Sequence, residues 1–216
     1  MASPDTAKPL RADAERNRQR ILDAARVVFS ERGLGATLDD VAVEAGVGVG
    51  TVYRRFADKD ALLDQLFDER IEEIVAIADE QLAAPDAWVA LCTFLECSVA
   101  LQAEDRGLRE LIHHPERGLD RVRSARERLA PRVDRLLQRA QRDGAVRSDV
   151  KHTDIGMLTL MLVTAIQSTE AIRPDAWRRP LALAIDSLRP AAAKGPLPGP
   201  ALTVDEFDDA LRTPRS

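Results

Sequence analysis

The feature that most restricts how this chain can fold is a repeat of apolar residues with the period of an α-helix. In residues 13–32 these positions are Ile21, Leu22, Ala25, Val28 and Phe29, which lie on one face of a helix. The same period returns in most later segments as far as residue 188. Helix-favouring Ala, Leu and Arg dominate the composition, and only 4% of the residues are aromatic. The sequence therefore predicts an all-α protein.

Three short helices are predicted before residue 60. Gly33 ends the first, and Thr37 followed three residues later by Asp40 is a capping-box pattern that starts the second. Gly46 ends the second helix and supplies the positive φ that a tight turn requires, and the third begins no earlier than Gly48. Two short helices that meet across a glycine turn are typical of a helix-turn-helix.

The third helix carries groups that suit a nucleic-acid duplex. Its glycines let the backbone approach phosphates, its hydroxyl groups can donate to phosphate oxygens, and its paired arginines can fork onto the O6 and N7 atoms of guanine. Residues in the first turns of the flanking helices would hold further phosphates. The predicted DNA-binding residues are Thr37, Gly48, Val49, Gly50, Thr51, Tyr53, Arg54, Arg55 and Lys59. Arg16, Arg18 and Arg20 of the first helix could reach along the duplex.

The overall charge alone argues against such a partner, because the net charge is −5 and DNA-binding domains are usually basic. Residues 1–60, however, carry ten basic and ten acidic groups, so the remaining 21 basic and 26 acidic groups account for the whole −5. Tyr53 could instead contribute only to packing, and Arg54 and Arg55 could form a merely solvated face. Their position side by side on so short a helix favours DNA contact.

Residues 20–63 resemble the DNA-binding domain of the tetracycline-repressor (TetR) family of bacterial transcription regulators. They read RILDAARVVFSERGLGATLDDVAVEAGVGVGTVYRRFADKDALL. They match the family's Ile-Leu-x-Ala-Ala start, Phe before a Gly, capping Thr, Ala-Gly-Val, Gly-Thr-x-Tyr and Phe-x-x-Lys. By this resemblance, the usual DNA-contacting positions are Thr37, Val49, Thr51, Tyr53, Arg54 and Lys59. Gly48 stands where a serine cap is frequent and Arg55 where a histidine is common, which leaves the base preference open.

The domain organisation follows from the helical pattern and its breaks. The prediction is a disordered arm over 1–12, a helix-turn-helix domain over 13–60, a helical domain over 61–190 with 61–84 as linking helix, and a flexible tail over 191–216. Later helices are predicted over 86–104, 108–114, 119–143, 153–171 and 175–188. Pro131 predicts a kink or two abutting helices. Pro180 fits a first helical turn if Trp177 is the N-cap.

The resemblance implies that the second domain binds a small-molecule effector and forms a homodimer on a near-palindromic DNA operator. Its helices over 153–171 and 175–188 would form a four-helix bundle with those of the partner. The first of them carries more apolar residues than one core-facing stripe needs, namely Ile155, Leu158, Met161, Leu162, Ala165 and Ile166. A pocket is predicted among Trp88, Cys92, Leu95, Glu96, Val133, Leu137, Met157 and Met161, each of which could instead be plain core. Glu96, if it faces inward, would mark a cationic effector.

The pattern of residues does not indicate an enzyme. Three histidines and two cysteines in unrelated contexts make no metal site, and neither a catalytic triad nor a phosphate loop is recognisable, so no cofactor or metal is predicted. The start has no apolar signal region and the longest apolar run is broken by threonines, which predicts a cytoplasmic protein. The prediction is a ligand-responsive repressor. A ligand-independent DNA-bound protein that recruits partners, or an enzyme that uses the helix-turn-helix only for packing, remain the alternatives.

Overall fold

The computed structural model describes residues 7–113 and 119–212, which form ten α-helices and no strand. The helices are α1 (Ala7–Arg32), α2 (Leu38–Ala45), α3 (Val49–Arg55), α4 (Lys59–Ala83), α5 (Ala87–Glu104), α6 (Arg106–His113), α7 (Leu119–Arg142), α8 (His152–Thr169), α9 (Arg178–Ser187) and α10 (Val204–Arg212). The predicted all-α class is confirmed.

The helix-turn-helix is built by the local signals that the sequence carries. The Thr37 Oγ1 accepts a hydrogen bond from the Asp40 N–H at 3.2 Å, and the Asp40 carboxylate accepts one from the Thr37 N–H at 2.8 Å, which confirms the capping box. Helix α2 ends at Gly46, whose φ of 64° confirms the predicted left-handed turn. Val52 and Phe56 are buried, so they fasten α3 to the core of the domain.

Replacing Gly46 by alanine is expected to lower the free energy of unfolding by about 1–2 kcal/mol, because an L-residue is strained at a left-handed φ. Gly50→Ala is the matched control. A Cβ there would meet nothing within 4 Å, and alanine favours a helix, so stability should stay the same or rise by up to about 1 kcal/mol. Urea denaturation measures both. Equal losses in the two variants would contradict the assignment of strain to Gly46.

Helix α1 starts six residues earlier than the sequence analysis expects. Residues 7–12 are helical, which corrects the prediction of a disordered arm for that part, while residues 1–6 lie outside the described part of the chain. Alanine, lysine, leucine and arginine in this stretch all favour a helix. Pro9 lies in the first turn, where its missing N–H removes no intrahelical hydrogen bond.

A single cluster of buried apolar side chains runs from Ile21 in α1 to Leu188 after α9. Helix α4 joins its two ends, because it packs on α1 near its start and on α5 and α7 further along. Helix α7 continues through Pro131 as one helix, so the alternative of two abutting helices is wrong, and a kink there stays a prediction. Trp177 is the N-cap of α9, so Pro180 lies in the first turn, as one alternative expects.

Among the described residues, α5 alone is long and apolar enough to cross a membrane. It packs against α4, α6, α7 and α8, and Ala90, Leu91 and Val99 are completely buried there. The apolar character of α5 is therefore accounted for by its place at the centre of the helical core.

The segment after residue 190 differs from the predicted flexible tail. Residues 204–212 form α10, a helix of nine residues, while residues 213–216 lie outside the described part. Thr203 begins it with a second capping box, since its Oγ1 accepts from the Glu206 N–H at 3.2 Å and the Glu206 carboxylate accepts from the Thr203 N–H at 2.8 Å. Val204, Phe207 and Leu211 then form an apolar stripe that needs a partner surface. The high content of acidic residues hides this pattern in the sequence.

Candidate functional site

The first candidate site is the outward face of α3. Val49, Gly50, Tyr53, Arg54 and Arg55 are exposed, with 52% of the Tyr53 surface open to solvent. The opposite face holds the buried side chain of Val52. A tyrosine that served only for packing would be covered, so the structure leaves this face available to a partner outside the chain.

The glycines of this face are not required by the fold. Gly48 is the N-cap of α3 with a φ of −67°, which any residue can adopt. A Cβ at Gly48 would touch only the Thr51 Oγ1 at 4.0 Å, and a Cβ at Gly50 would meet nothing within 4 Å. Space in front of these two residues is therefore open, and their lack of a side chain matters only to something that approaches from outside.

Thr51 and Arg54 are already oriented with respect to each other. The Arg54 guanidinium donates to the Thr51 Oγ1 at 3.1 Å, across one turn of α3. Thr37 lies on the exposed surface, but its hydroxyl is committed to Asp40 within the capping box. The same hydrogen bonds from Thr37 lower the pKa of the Asp40 carboxyl.

Lys59 is directed into the fold. Its ammonium donates to the Leu34 carbonyl and lies 5.6 Å from the centre of the Phe29 ring. Its predicted role as a DNA contact stays a prediction, and the geometry shows that this ammonium positions the turn after α1.

The basic cluster of the first helix also makes contacts within the chain. Arg16 pairs with Asp13, Arg18 donates to Gln65 at 2.6 Å, and Arg20 donates to the Ala45 carbonyl at 2.8 Å. The bonds of Arg18 and Arg20 tie α1 to α4 and to the end of α2, whereas the Arg16 pair is exposed and lies within α1. The reach of this cluster along a duplex stays a prediction.

The second candidate site is a cavity of about 440 Å³ between α4, α5, α7, α8 and α10. Its wall is mainly apolar and includes Phe67, Ile74, Phe94, Leu129 and Leu160. Polar residues interrupt that wall at ten positions, namely Ser98, Gln102, Arg123, Arg126, Glu127, His152, Thr153, Thr159, Asp205 and Asp208. A large apolar space with a small number of polar groups is the usual form of a small-molecule site.

Leu95 and Val133 are the two predicted pocket residues that line this cavity. Trp88 stacks under the Arg189 guanidinium at 3.8 Å, Glu96 is exposed, and Leu137 is buried in the core. Cys92, Met157 and Met161 do not line it either, and 64% of the Met161 surface is exposed.

The reason for this difference is the rotation of two helices. The cavity meets the face of α5 that carries Phe94, Ser98 and Gln102, and the face of α8 that carries Gly156 and Thr159. Helical spacing identifies which residues share a face, but not which face meets a cavity. Ser98 and Gln102, one turn apart on a very apolar helix, were the signal available for this face.

Helix α6 connects the two candidate sites. The Glu110 carboxylate accepts a hydrogen bond from the Leu34 N–H, in the turn after α1, at 2.6 Å. On the same helix, a Cβ at Gly107 would lie 3.0 Å from the Phe29 carbonyl oxygen, so glycine permits close packing of α6 on α1. The helix-turn-helix is thus fastened to α6 by both a hydrogen bond and backbone contact.

The other side of α6 reaches the cavity wall through a buried arginine. Arg109, 2% exposed, donates to the carbonyls of Gln102 and Ala103 at 2.6 and 2.8 Å and pairs with Glu170 near the end of α8. Gln102 itself lines the cavity. A change in the end of α5 or α8 can therefore move α6 and, with it, the turn that precedes α2.

The described residues offer neither a cluster of metal ligands nor a reactive thiol at Cys92 in these sites. Within residues 7–113 and 119–212, no group of three or more His, Cys, Asp or Glu side chains could hold a metal ion. Burial raises the pKa of the Cys92 thiol to about 11, so this cysteine is protonated at neutral pH.

Both halves of the chain match known protein families. A family described as bacterial regulatory proteins, tetR family, matches residues 21–66, and one described as transcriptional regulator SbtR-like, C-terminal domain, matches residues 86–190. The HTH-type transcriptional regulator SrpR of Pseudomonas putida is 32% identical over 133 residues, which cover 61% of this chain and 61% of SrpR. The HTH-type transcriptional repressor Rv1474c of Mycobacterium tuberculosis is 32% identical over 143 residues, 62% of this chain and 71% of that repressor.

A solved structure gives the same result over a longer stretch. The crystal structure of the TetR transcription regulatory protein from Mycobacterium vanbaalenii is 36% identical and has a TM-score of 0.60. The match covers 84% of this chain and 99% of that one.

Proposed function

Because this chain belongs to the TetR family of bacterial helix-turn-helix transcriptional regulators, we propose that it is a ligand-responsive repressor that binds a near-palindromic operator as a homodimer. The observation that carries the proposal is the exposed face of α3, where small residues precede a tyrosine and two arginines. Regulators of this family bind DNA operators and act as dimers, and they are not enzymes. The cytoplasm is the proposed location.

The open space in front of α3 supports its insertion into a major groove. Gly48 and Gly50 allow the backbone to come close to phosphates, and Thr51 and Tyr53 offer hydroxyl groups to them. Arg54 and Arg55 extend from the end of the helix, where a guanidinium can donate two hydrogen bonds to one guanine. Thr37 and Lys59 would act mainly by fixing the flanking turns.

A dimer is supported by apolar side chains that the single chain leaves uncovered on α8 and α9. Met161 and Leu183 are each 64% exposed. Ile155, Leu162 and Ile166 on α8 are buried, so this helix has one face for the core and a second face for a partner. A second copy of the chain that packs its own α8 and α9 here would bury this surface, as the proposed four-helix bundle requires.

The cavity favours a ligand-responsive regulator over a DNA-bound protein that only recruits partners. A ligand in the cavity would bias the ends of α5 and α8, which hold Arg109, and so the position of α6 under the helix-turn-helix. In a dimer this would alter the separation of the two α3 helices. The operator fits one separation only, so affinity for DNA would fall by the ratio of the ligand's affinities for the two states.

DNase footprinting on duplexes from the regions flanking the protein's own gene tests the proposal. We expect protection of a near-palindrome whose half-sites are centred about 34–36 Å apart or a small multiple of that. Tyr53→Ala should weaken the retardation of this DNA in a gel without a change in the circular dichroism of the protein. If the wild-type chain retards none of these duplexes at low salt, the proposal fails.

A further inference from the structure

Helix α10 covers the cavity with its apolar stripe. Val204, Phe207 and Leu211 all line the cavity. The Phe207 ring enters so deeply that a Cβ at Gly156 of α8 would lie 2.6 Å from its Cζ atom. Gly156, near the start of α8, therefore makes room for an aromatic ring that comes from a segment beyond the matched C-terminal family domain, which ends at residue 190.

The neighbouring side chain supplies a charge. Asp208 forms an ion pair with Arg126 of α7, and only 14% of the aspartate and 22% of the arginine side chain are exposed. The Arg126 guanidinium also lies 5.9 Å from the centre of the Phe207 ring. Phe207 and Asp208 together thus present an aromatic ring and a carboxylate to the cavity and to its arginine.

The segment that leads to α10 is held at three points. Arg147 donates to the Gly195 carbonyl at 2.8 Å, the Leu197 N–H donates to Asp149 at 2.8 Å, and the Thr153 hydroxyl donates to the Leu202 carbonyl at 2.8 Å. Hydrogen bonds from Arg147 and from the Leu197 N–H lower the pKa of Asp149, so this anchor remains ionised at neutral pH. Because the tether is short, α10 would rebind quickly after it leaves the cavity.

One buried hydroxyl group in the cavity makes no hydrogen bond to any of the described residues. Ser98, 8% exposed, lines the cavity, and its Oγ atom has no hydrogen-bond partner among the residues that the structure describes. A buried hydroxyl without a partner is destabilising, and a ligand with a polar atom would satisfy it. The Phe207 ring, which lines the same cavity, offers no such atom.

We infer that α10 fills part of the effector site as a built-in surrogate, beside a free volume of about 440 Å³, and that the effector is an arylalkyl carboxylate which displaces Phe207 and Asp208. The carboxylate would replace Asp208 on Arg126, since a neutral ligand that expelled α10 would remove the Asp208 carboxylate from a guanidinium whose side chain is only 22% exposed. The inference rests on the proposed function for the role of the cavity. The ligand class that we assign rests on the contacts that α10 makes in the cavity.

Calorimetric titration of the full chain with hydrocinnamate and with its neutral amide, hydrocinnamamide, tests the inference. We expect the carboxylate to bind about tenfold or more tightly than the amide. Asp208→Asn and Phe207→Ala should each tighten the binding of both ligands by the same factor, because they weaken the same internal competitor. Asp209→Asn, an exposed aspartate on the same helix, is the matched control and should change neither affinity.

The role of Arg126 is tested by the ratio of the two affinities. Arg126→Met should reduce the preference for the carboxylate to about unity, whereas Arg126→Lys should keep part of it. Thermal melting shows whether each variant is folded. If the preference survives in Arg126→Met, the assigned ligand class is wrong, and it is equally wrong if neither probe binds to Asp208→Asn or Phe207→Ala.

Hydrogen exchange separates displacement of α10 from its closure over a ligand. We expect saturating hydrocinnamate to raise the exchange rates of the amides in residues 204–212. Slower exchange there would overturn the inference. Operator binding by the unliganded chain is measured in the same preparation, so a failure of the proposed function would appear as lost DNA binding with the titrations unaffected.

Discussion

Replacement of Arg54 and Arg55 together by alanine is expected to weaken operator binding by about 2–6 kcal/mol, because each bidentate contact of arginine with guanine contributes about 1–3 kcal/mol. Both side chains are exposed at the end of α3, so the fold should not change. Fluorescence anisotropy with the footprinted operator measures the loss. Urea denaturation should give the same free energy of unfolding for the variant and the wild type.

The salt dependence distinguishes the two kinds of DNA contact. An arginine that binds only phosphate lowers the slope of log affinity against log salt by about 1 when it is removed, and it weakens all sequences equally. An arginine that reads a base leaves the slope nearly unchanged and reduces the preference for operator over random DNA. Single Arg54→Ala and Arg55→Ala variants therefore assign a role to each residue.

The matched control for charge is the pair Arg135→Ala and Arg142→Ala on α7. Both residues are exposed and lie outside the helix-turn-helix, so their loss changes the net charge by the same amount. We expect almost no effect on operator affinity at physiological salt, where surface charges more than about 8 Å apart are screened. An equal loss in both double variants would mean that general electrostatic attraction, and not the face of α3, holds the DNA.

Replacement of Glu110 by alanine is expected to lower the free energy of unfolding by about 1.5–3 kcal/mol, the usual contribution of a hydrogen bond to a charged group. Its carboxylate accepts from the Leu34 N–H at 2.6 Å and from Arg106 at 2.7 Å. Leu34 is buried, so its N–H would lose its acceptor without access to water. Urea denaturation measures the loss, and faster hydrogen exchange of the Leu34 amide locates it.

Two further variants make this result specific. Glu110→Gln keeps an oxygen acceptor and should lose less stability than Glu110→Ala. Glu104→Ala removes an exposed carboxylate at the end of α5 and should change stability by less than about 0.5 kcal/mol. If Glu104→Ala and Glu110→Ala are equally mild, α6 is not fastened to the helix-turn-helix through Glu110.

The caps and turns between α1 and α4 could be predicted because their causes lie within four residues of each other. Thr37 and Asp40 cap one another, Gly46 turns the chain at a φ that side chains avoid, and the Asp58 carboxylate accepts from the Ala61 N–H. The family resemblance added the expected DNA-contacting positions on α3, and the exposure of that face agrees with such a use. The start of α1 and the partners of Arg20 and Lys59 were not predicted, and those partners lie 25 residues away in the sequence.

The residues that line the cavity could not be predicted from the sequence in the same way. Leu95 and Val133 were identified from apolar spacing, but the same spacing also suggested Met157 and Met161, which α8 turns away from the cavity. Ser98 and Gln102 carry a polar signal on an apolar helix, and Thr203 with Glu206 carries the signal of a helix start. Neither signal indicates which surface the helix will meet.

The sequence by itself determined the all-α class, the caps and turns of the helix-turn-helix, and the family to which the chain belongs, because these depend on neighbouring residues and on a dense local motif. Only the tertiary structure decided that Glu110 reaches Leu34, 76 residues away, and that α10 enters the cavity. Such contacts depend on how packed helices rotate and approach one another, and the whole core sets that arrangement at once.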